Sequence, residues 1–231
     1  MNTFKKVIAS GAAAVIVLAN MAMPVGAANS YTLTPFEYVG VAGDCGAGYP
    51  AGTPGGVVAK WDSTLGNPAP SLRLEKNVPT TDCSAAGATV NGVTGITLTE
   101  LNFDVKGYCG AGAPRFNVVT SDNVTHFFGC ASGTQTALGN GWTHVVWDPT
   151  NPAQAFPVIV PGTTVTSIEL IQDEQGQTNL DNISINDQII AGPNTPTSKD
   201  QCKKSGWQDL QDNSGKPFKN QGQCVSYFNH L

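Results

Sequence analysis

The stretch that decides the fold is Arg115-Phe-Asn-Val-Val-Thr120, followed by Ser121-Asp122-Asn123 and then Thr125-His-Phe-Phe-Gly129. Two short runs rich in β-branched and aromatic residues flank a cluster of turn formers. That grammar predicts two antiparallel strands joined by a tight hairpin. The same pattern repeats outward in both directions. It predicts strands at Phe36–Val41, Val57–Trp61, Ser71–Lys76, Ile96–Lys106, Thr143–Asp148, Val165–Gln172 and Leu180–Ile185. Between residues 28 and 196 no stretch keeps a helical period for three turns, and Gly and Pro punctuate the runs. Strands this short and loops this long predict an all-β chain, a two-sheet jelly-roll sandwich over residues 28–192.

Both ends of the chain break the pattern. Met1 to Lys6 carries Lys5 and Lys6, and the following residues to Met23 are apolar or small apart from Ser10 and Asn20. Pro24-Val-Gly-Ala-Ala28 supplies small residues at the spacing of a signal-peptidase site, which predicts a cleaved signal peptide over 1–27. The mature protein is then expected to be secreted and not membrane-spanning. At the other end, 193–198 reads as a linker and 199–231 as a separate module. There, Ser198-x-x-Gln201 and Asn220-x-x-Gln223 resemble capping boxes, each followed by a cysteine. They predict two short helices stapled together over Trp207, Leu210, Phe218, Val225 and Phe228.

Charge and cysteines narrow the setting. The chain has 12 basic and 17 acidic residues, a formal net charge of −5, and loss of Lys5 and Lys6 makes it more acidic still. An acidic body argues against nucleic acid and against anionic membrane surfaces. Six cysteines, Cys45, Cys83, Cys109, Cys130, Cys202 and Cys224, all follow the leader and fit an oxidising destination. Six cysteines allow fifteen connectivities. Nearest-neighbour spacing favours 45–83, 109–130 and 202–224. Zinc ligation has no support, because no C-x-x-C occurs and His126, His144 and His230 lack zinc-like spacing to any cysteine.

Three runs carry a resemblance. They are Asp104-Val-Lys-Gly-Tyr-Cys-Gly-Ala-Gly-Ala-Pro-Arg-Phe-Asn-Val118, Gly139-Asn-Gly-Trp-Thr143 and Leu180-Asp-Asn-Ile-Ser-Ile-Asn186. In these the chain resembles uncharacterised bacterial secreted proteins with galactose-binding-like jelly rolls, the fold of many carbohydrate-binding modules. The tail, with Gln201-Cys-Lys-Lys-Ser-Gly-Trp207 and Phe218-Lys-Asn-Gln-Gly-Gln-Cys-Val-Ser-Tyr-Phe228, resembles a short C-terminal motif of bacterial extracellular proteins. The resemblance implies a structural calcium held by a carboxylate at the place of Asp181, with Glu37 as a second oxygen donor.

The residues themselves supply further candidates. Strand alternation puts Asp181 on the face of Ile183 and Ile185, where a carboxylate needs a partner. Calcium is one such partner. Capping of backbone N–H groups, or pairing with Arg73 or Arg115, is the other. Asp173 and Glu174 lie in the loop after Ile168–Gln172, seven or eight residues before Asp181, and are either calcium ligands or a solvated turn. Alternation also separates Trp142, His144 and Val146 from Thr143, Val145 and Trp147. One tryptophan is therefore expected outside the core or at its edge, where it offers a stacking platform for a sugar ring; the alternative packs both. Catalytic signatures are missing from the sequence. No G-x-S-x-G, G-x-G-x-x-G or P-loop occurs, His126 and His144 fall inside predicted strands, and the cysteines are used in pairs. The chain therefore reads as a secreted non-catalytic binding module for an extracellular or cell-wall carbohydrate. The other class is a structural or adhesive surface protein with a protein or envelope partner.

Overall fold

The computed structural model describes residues 31–190, 192–193, 195–196, 198–212 and 216–230. The leader expected at 1–27 lies outside the described residues. In chain order the strands are β1 (Thr32–Val39), β2 (Val57–Asp62), β3 (Ser71–Lys76), β4 (Ser84–Asn91), β5 (Leu101–Gly107), β6 (Arg115–Thr120) and β7 (Thr125–Gly129). They continue with β8 (Thr134–Gly139), β9 (Trp142–Trp147), β10 (Val165–Gln172), β11 (Gly176–Ile185) and β12 (Gln188–Ile189), and one helix, α1 (Gln221–Phe228), follows. Two antiparallel sheets pack as a sandwich. One runs β1-β4-β10-β6-β7, and the other runs β2-β3-β11-β5-β9-β8 with β12 added to β11.

Alternation produces the two layers. In β6, Phe116, Val118 and Thr120 are buried while Arg115, Asn117 and Val119 face outward. From the opposite sheet Leu72, Leu74, Leu101, Phe103, Val105 and Leu180 close the same core. Its centre is aromatic. Trp147 is fully buried and stands edge-on to Phe103 at 4.8 Å and to Phe116 at 5.6 Å, centroid to centroid. Its indole N–H donates to the Gly129 carbonyl at 3.0 Å, so the one polar atom of the ring is satisfied. The β6–β7 hairpin closes as expected, with Asn123 at φ 63° and its N–H donating to the Thr120 carbonyl.

Besides the two-residue β12, two strands escaped the sequence pattern, for opposite reasons. β4, Ser-Ala-Ala-Gly-Ala-Thr-Val-Asn, is central but built from small residues, because Ala86 and Ala88 face a core already filled from across the sandwich. β8 is an exposed edge strand along its whole length and needs no apolar alternation.

The largest correction concerns Asp181. Leu180 pairs with Val105 and Asp181 with Asp104, but the register then shifts, so that Ser184 meets Asn102 and Ile185 meets Leu101. The extra residue is accommodated at Asn182, which adopts φ 45°. A bulge inverts alternation beyond it. Ile183 and Ile185 therefore join the core, while Asp181 faces out beside Asp104.

In the tail, the Asn220 carboxamide oxygen caps α1 by accepting from the Gln223 N–H at 2.8 Å. The helix expected after Ser198 is replaced by turns and a 3-10 turn at Gly206–Asp209. Lys204 and Ser205 take positive φ there, and a Cβ on Gly206 would lie 2.0 Å from the Gln201 carbonyl oxygen, so the chain doubles back instead of winding on. Cys202, Leu210, Phe218 and Cys224 form a small cluster of their own, flanked by Trp207, Val225 and Tyr227. No helix among the described residues is long and apolar enough to cross a membrane.

Candidate binding groove

The outward face of the five-stranded sheet carries its side chains in rows that follow from the pairing. One row crosses every strand: Thr34 opposite Thr89, Thr89 beside Glu169, Glu169 beside Asn117, Asn117 beside Phe127. Phe156 extends it, since its backbone exchanges hydrogen bonds with Phe127 as if it were a further strand. At the usual strand spacing this row is roughly 24 Å long. The adjacent row runs Phe36, Gly87, Ile171, Arg115 and Gly129. Here Gly87 is required by contact: a Cβ would lie 2.5 Å from the Phe36 ring, which rests on the bare backbone of β4.

Two cavities of about 590 and 470 Å³ open on this face. The larger is lined by Phe36, Tyr38, Tyr49, Glu169 and Asp173, and the smaller by Phe127, Gln154 and Phe156; Gly112 and Arg115 line both, so the two adjoin, and together they are the groove of this face. Among the described residues the exposed aromatic side chains are Tyr38, Tyr49, Phe127 and Phe156, the last 78% exposed, and all four lie along this groove. Such clustering is unlike the single scattered apolar residues of an ordinary surface.

The floor is held by charge-assisted bonds. Asp173 grips the Arg115 guanidinium with both oxygens, at 2.6 and 2.8 Å. Arg115 also donates to the Asn117 side chain and to the Gly112 carbonyl, each at 2.8 Å, and its guanidinium lies 5.8 Å from the Phe127 ring centre. Glu174 accepts from the Tyr108 hydroxyl at 2.6 Å, a bond that raises the phenol above its ordinary range. Asp82 accepts from Ser84 and Thr53, which holds its carboxyl below the ordinary range. The Lys76 ammonium is buried and donates to the carbonyls of Thr80, Asp82 and Ser84; desolvation lowers it, against the opposing fields of Asp173 and Asp82.

The disulfides pair as 45–83, 109–130 and 202–224. The first ties the loop carrying Tyr49 to the start of β4, and the Tyr38 hydroxyl reaches into that loop to Asp44 at 3.2 Å. The second ties the loop before Arg115 to the end of β7. Both body staples thus hold loops that border the groove.

No protein-family model, curated protein or solved structure matches the chain.

The residues expected to bind are placed quite differently. Trp147 belongs to the core, and Trp142, facing the other way, is only 5% exposed with the Lys106 ammonium 6.0 Å from its ring centre. Neither ring is a free stacking platform. Alternation correctly separates them, but the outer face of β9 is itself covered at Trp142. The three carboxylates expected around calcium have separate partners. Asp173 serves Arg115, and Glu37 accepts from the Ala59 N–H at 3.2 Å. Asp181 accepts from the backbone N–H groups of Asn67 and Asn182, the hydrogen-bonded alternative, and burial raises its pKa with Asp104 adding to the shift. Among the described residues no group of three or more His, Cys, Asp or Glu could hold a metal ion. Asp181, Glu37 and Asp173 are thus not gathered into one site.

The groove residues that sequence reasoning missed are Phe36, Tyr38, Tyr49, Phe127, Phe156 and Glu169. One signal was available. Adjacent phenylalanines inside a strand cannot share a face, so Phe127-Phe128 requires one ring outside the core.

Proposed function

We propose that this protein is a secreted, non-catalytic binding module whose five-stranded sheet takes an extracellular or cell-wall carbohydrate chain along its outer face. The observation that supports this reading is the gathering of every exposed aromatic side chain among the described residues into one groove. A pyranose ring has an apolar C–H face and a polar hydroxyl edge. Aromatic rings at Tyr49, Phe127 and Phe156 match the face, while Glu169, Asn117, Thr89 and Gln154 offer hydrogen bonds to the edge. The rigid Arg115–Asp173 clamp keeps the floor preorganised, which lowers the ordering cost of binding. Secretion suits the three disulfides, which persist in oxidising compartments.

A glycan array probed with the protein, followed by calorimetry on the strongest hit, tests the reading. Phe127→Ala and Tyr49→Ala are expected to weaken binding about tenfold or more each, as central aromatic contacts do, with melting temperatures near that of the parent. Absence of any glycan binding, or unchanged affinity in both variants, defeats the proposal.

A further inference from the structure

The groove contains one unused charge. Glu169 stands in the middle of the transverse row, between Thr89 and Asn117, and is half-buried. Its carboxylate makes no hydrogen bond and no ion pair with any described residue, while the other charged side chains lining the larger cavity are engaged. Arg115 is held by Asp173, Lys76 by three backbone carbonyls, Asp82 by Thr53 and Ser84, and Glu174 by Tyr108. The groove therefore presents a carboxylate that lacks donors and no cation that is free to receive an anion. A ligand donor that reaches this carboxylate makes a charge-assisted bond that no described side chain of the groove makes.

Phe127 and Glu169 are two strands apart in the same row, roughly 10 Å at the usual spacing. A chain lying along the row can stack one ring on Phe127 and present a substituent to Glu169 at once. A uronic acid would bring a second negative charge to that point. An N-acetyl group would bring a neutral amide. A protonated amine brings up to three charged donors, and charge-assisted bonds are about twice as strong as neutral ones.

We infer that the groove selects glycans carrying free amino groups, glucosamine-type units in preference to N-acetylated or acidic ones, and that Glu169 is the specificity-determining residue. This inference rests on the carbohydrate reading of the same groove.

Calorimetry at mildly acidic pH, where the amines are protonated, compares the hexamers of glucosamine, N-acetylglucosamine and galacturonic acid. The glucosamine hexamer is expected to bind at least about tenfold tighter than the other two, the size of one charged hydrogen bond. Added salt should narrow that margin, since the groove is open to solvent. Glu169→Gln should abolish the preference, bringing glucosamine and N-acetylglucosamine hexamers to similar affinity, whereas Phe127→Ala should weaken both ligands and leave their ratio in place. Equal binding of the free and acetylated hexamers, tightest binding of the uronate, or an undiminished amine preference in Glu169→Gln overturns the inference. If none of the hexamers binds but a neutral glycan from the array does, the amine selectivity fails and the groove reading stands. If no glycan binds at all, both fail.

Discussion

Trp147 is where the fold and the groove meet, and Trp147→Ala is the most informative single change to the fold. The ring is fully buried and packs edge-on against Phe103 and Phe116, and its N–H donates to the Gly129 carbonyl, which also accepts from the Ser132 hydroxyl. Truncating a buried aromatic costs about 3–5 kcal/mol, and the two aromatic pairs place this site at the upper end. For a domain of this size each kcal/mol is worth roughly 2–4 °C, so the melting temperature should fall by roughly 10–20 °C. Trp147→Phe keeps part of the aromatic packing and removes the N–H together with the rest of the five-membered ring. The Gly129 carbonyl keeps the Ser132 hydroxyl as a donor at 2.8 Å, so loss of the indole bond itself should cost only about 0.5–1.5 kcal/mol. Because Gly129 pairs with Arg115, glycan affinity in Trp147→Ala should fall as well. Calorimetric melting of the three proteins, with urea titration as a second measure, checks the reasoning. A Trp147→Ala melting point within about 4 °C of the parent would correspond to no more than ~2 kcal/mol and would refute the placement of this ring at the centre of the core.

Further outcomes follow from the staples and the buried acids. Peptide mapping without reduction should recover 45–83, 109–130 and 202–224 as the linkages and no free thiol; a bridge between Cys130 and Cys202 would contradict the structure. Replacing both Cys109 and Cys130 by serine opens a loop with a sequence separation of 21 and should cost about 3 kcal/mol in the chain-entropy model. Burial raises Asp181, so its contribution favours the fold below the ordinary carboxyl pKa and is lost as pH rises through its elevated value. Relative to Asp181→Asn, the parent should therefore lose stability between acid and neutral pH, measured by urea midpoints. A relative gain over that window, as a bound cation at Asp181 would produce, would count against this assignment. Asp82 carries the opposite sign. Its carboxyl is held low chiefly by the Ser84 hydroxyl and then by Thr53, so it supports the fold above the ordinary carboxyl range, and that support fades as pH falls through its depressed value.

Some of this protein was legible in the sequence because local chemistry decides it. β-branched and aromatic runs between turn clusters specify strands wherever they occur, and β3, β6, β7 and β10 match their expected bounds. The disulfides pair successive cysteines in chain order. The cap of α1 is likewise written at Asn220 and Gln223. What the sequence could not decide is anything that depends on a residue's partner across the sheet or across the sandwich. β4 is a strand because it pairs with β1 and β10, with the small Ala86 and Ala88 facing the core and Gly87 lying beneath the Phe36 ring outside. Asp181 faces outward because one extra residue at Asn182 reverses the alternation that places Ile183 and Ile185 inside. Trp142 and Phe127 each stand on an outward strand face, yet Trp142 is covered and Phe127 is exposed. Alternation fixes which side of a sheet a ring takes, but only the packing of distant loops and neighbouring strands determines whether that side is open to a ligand.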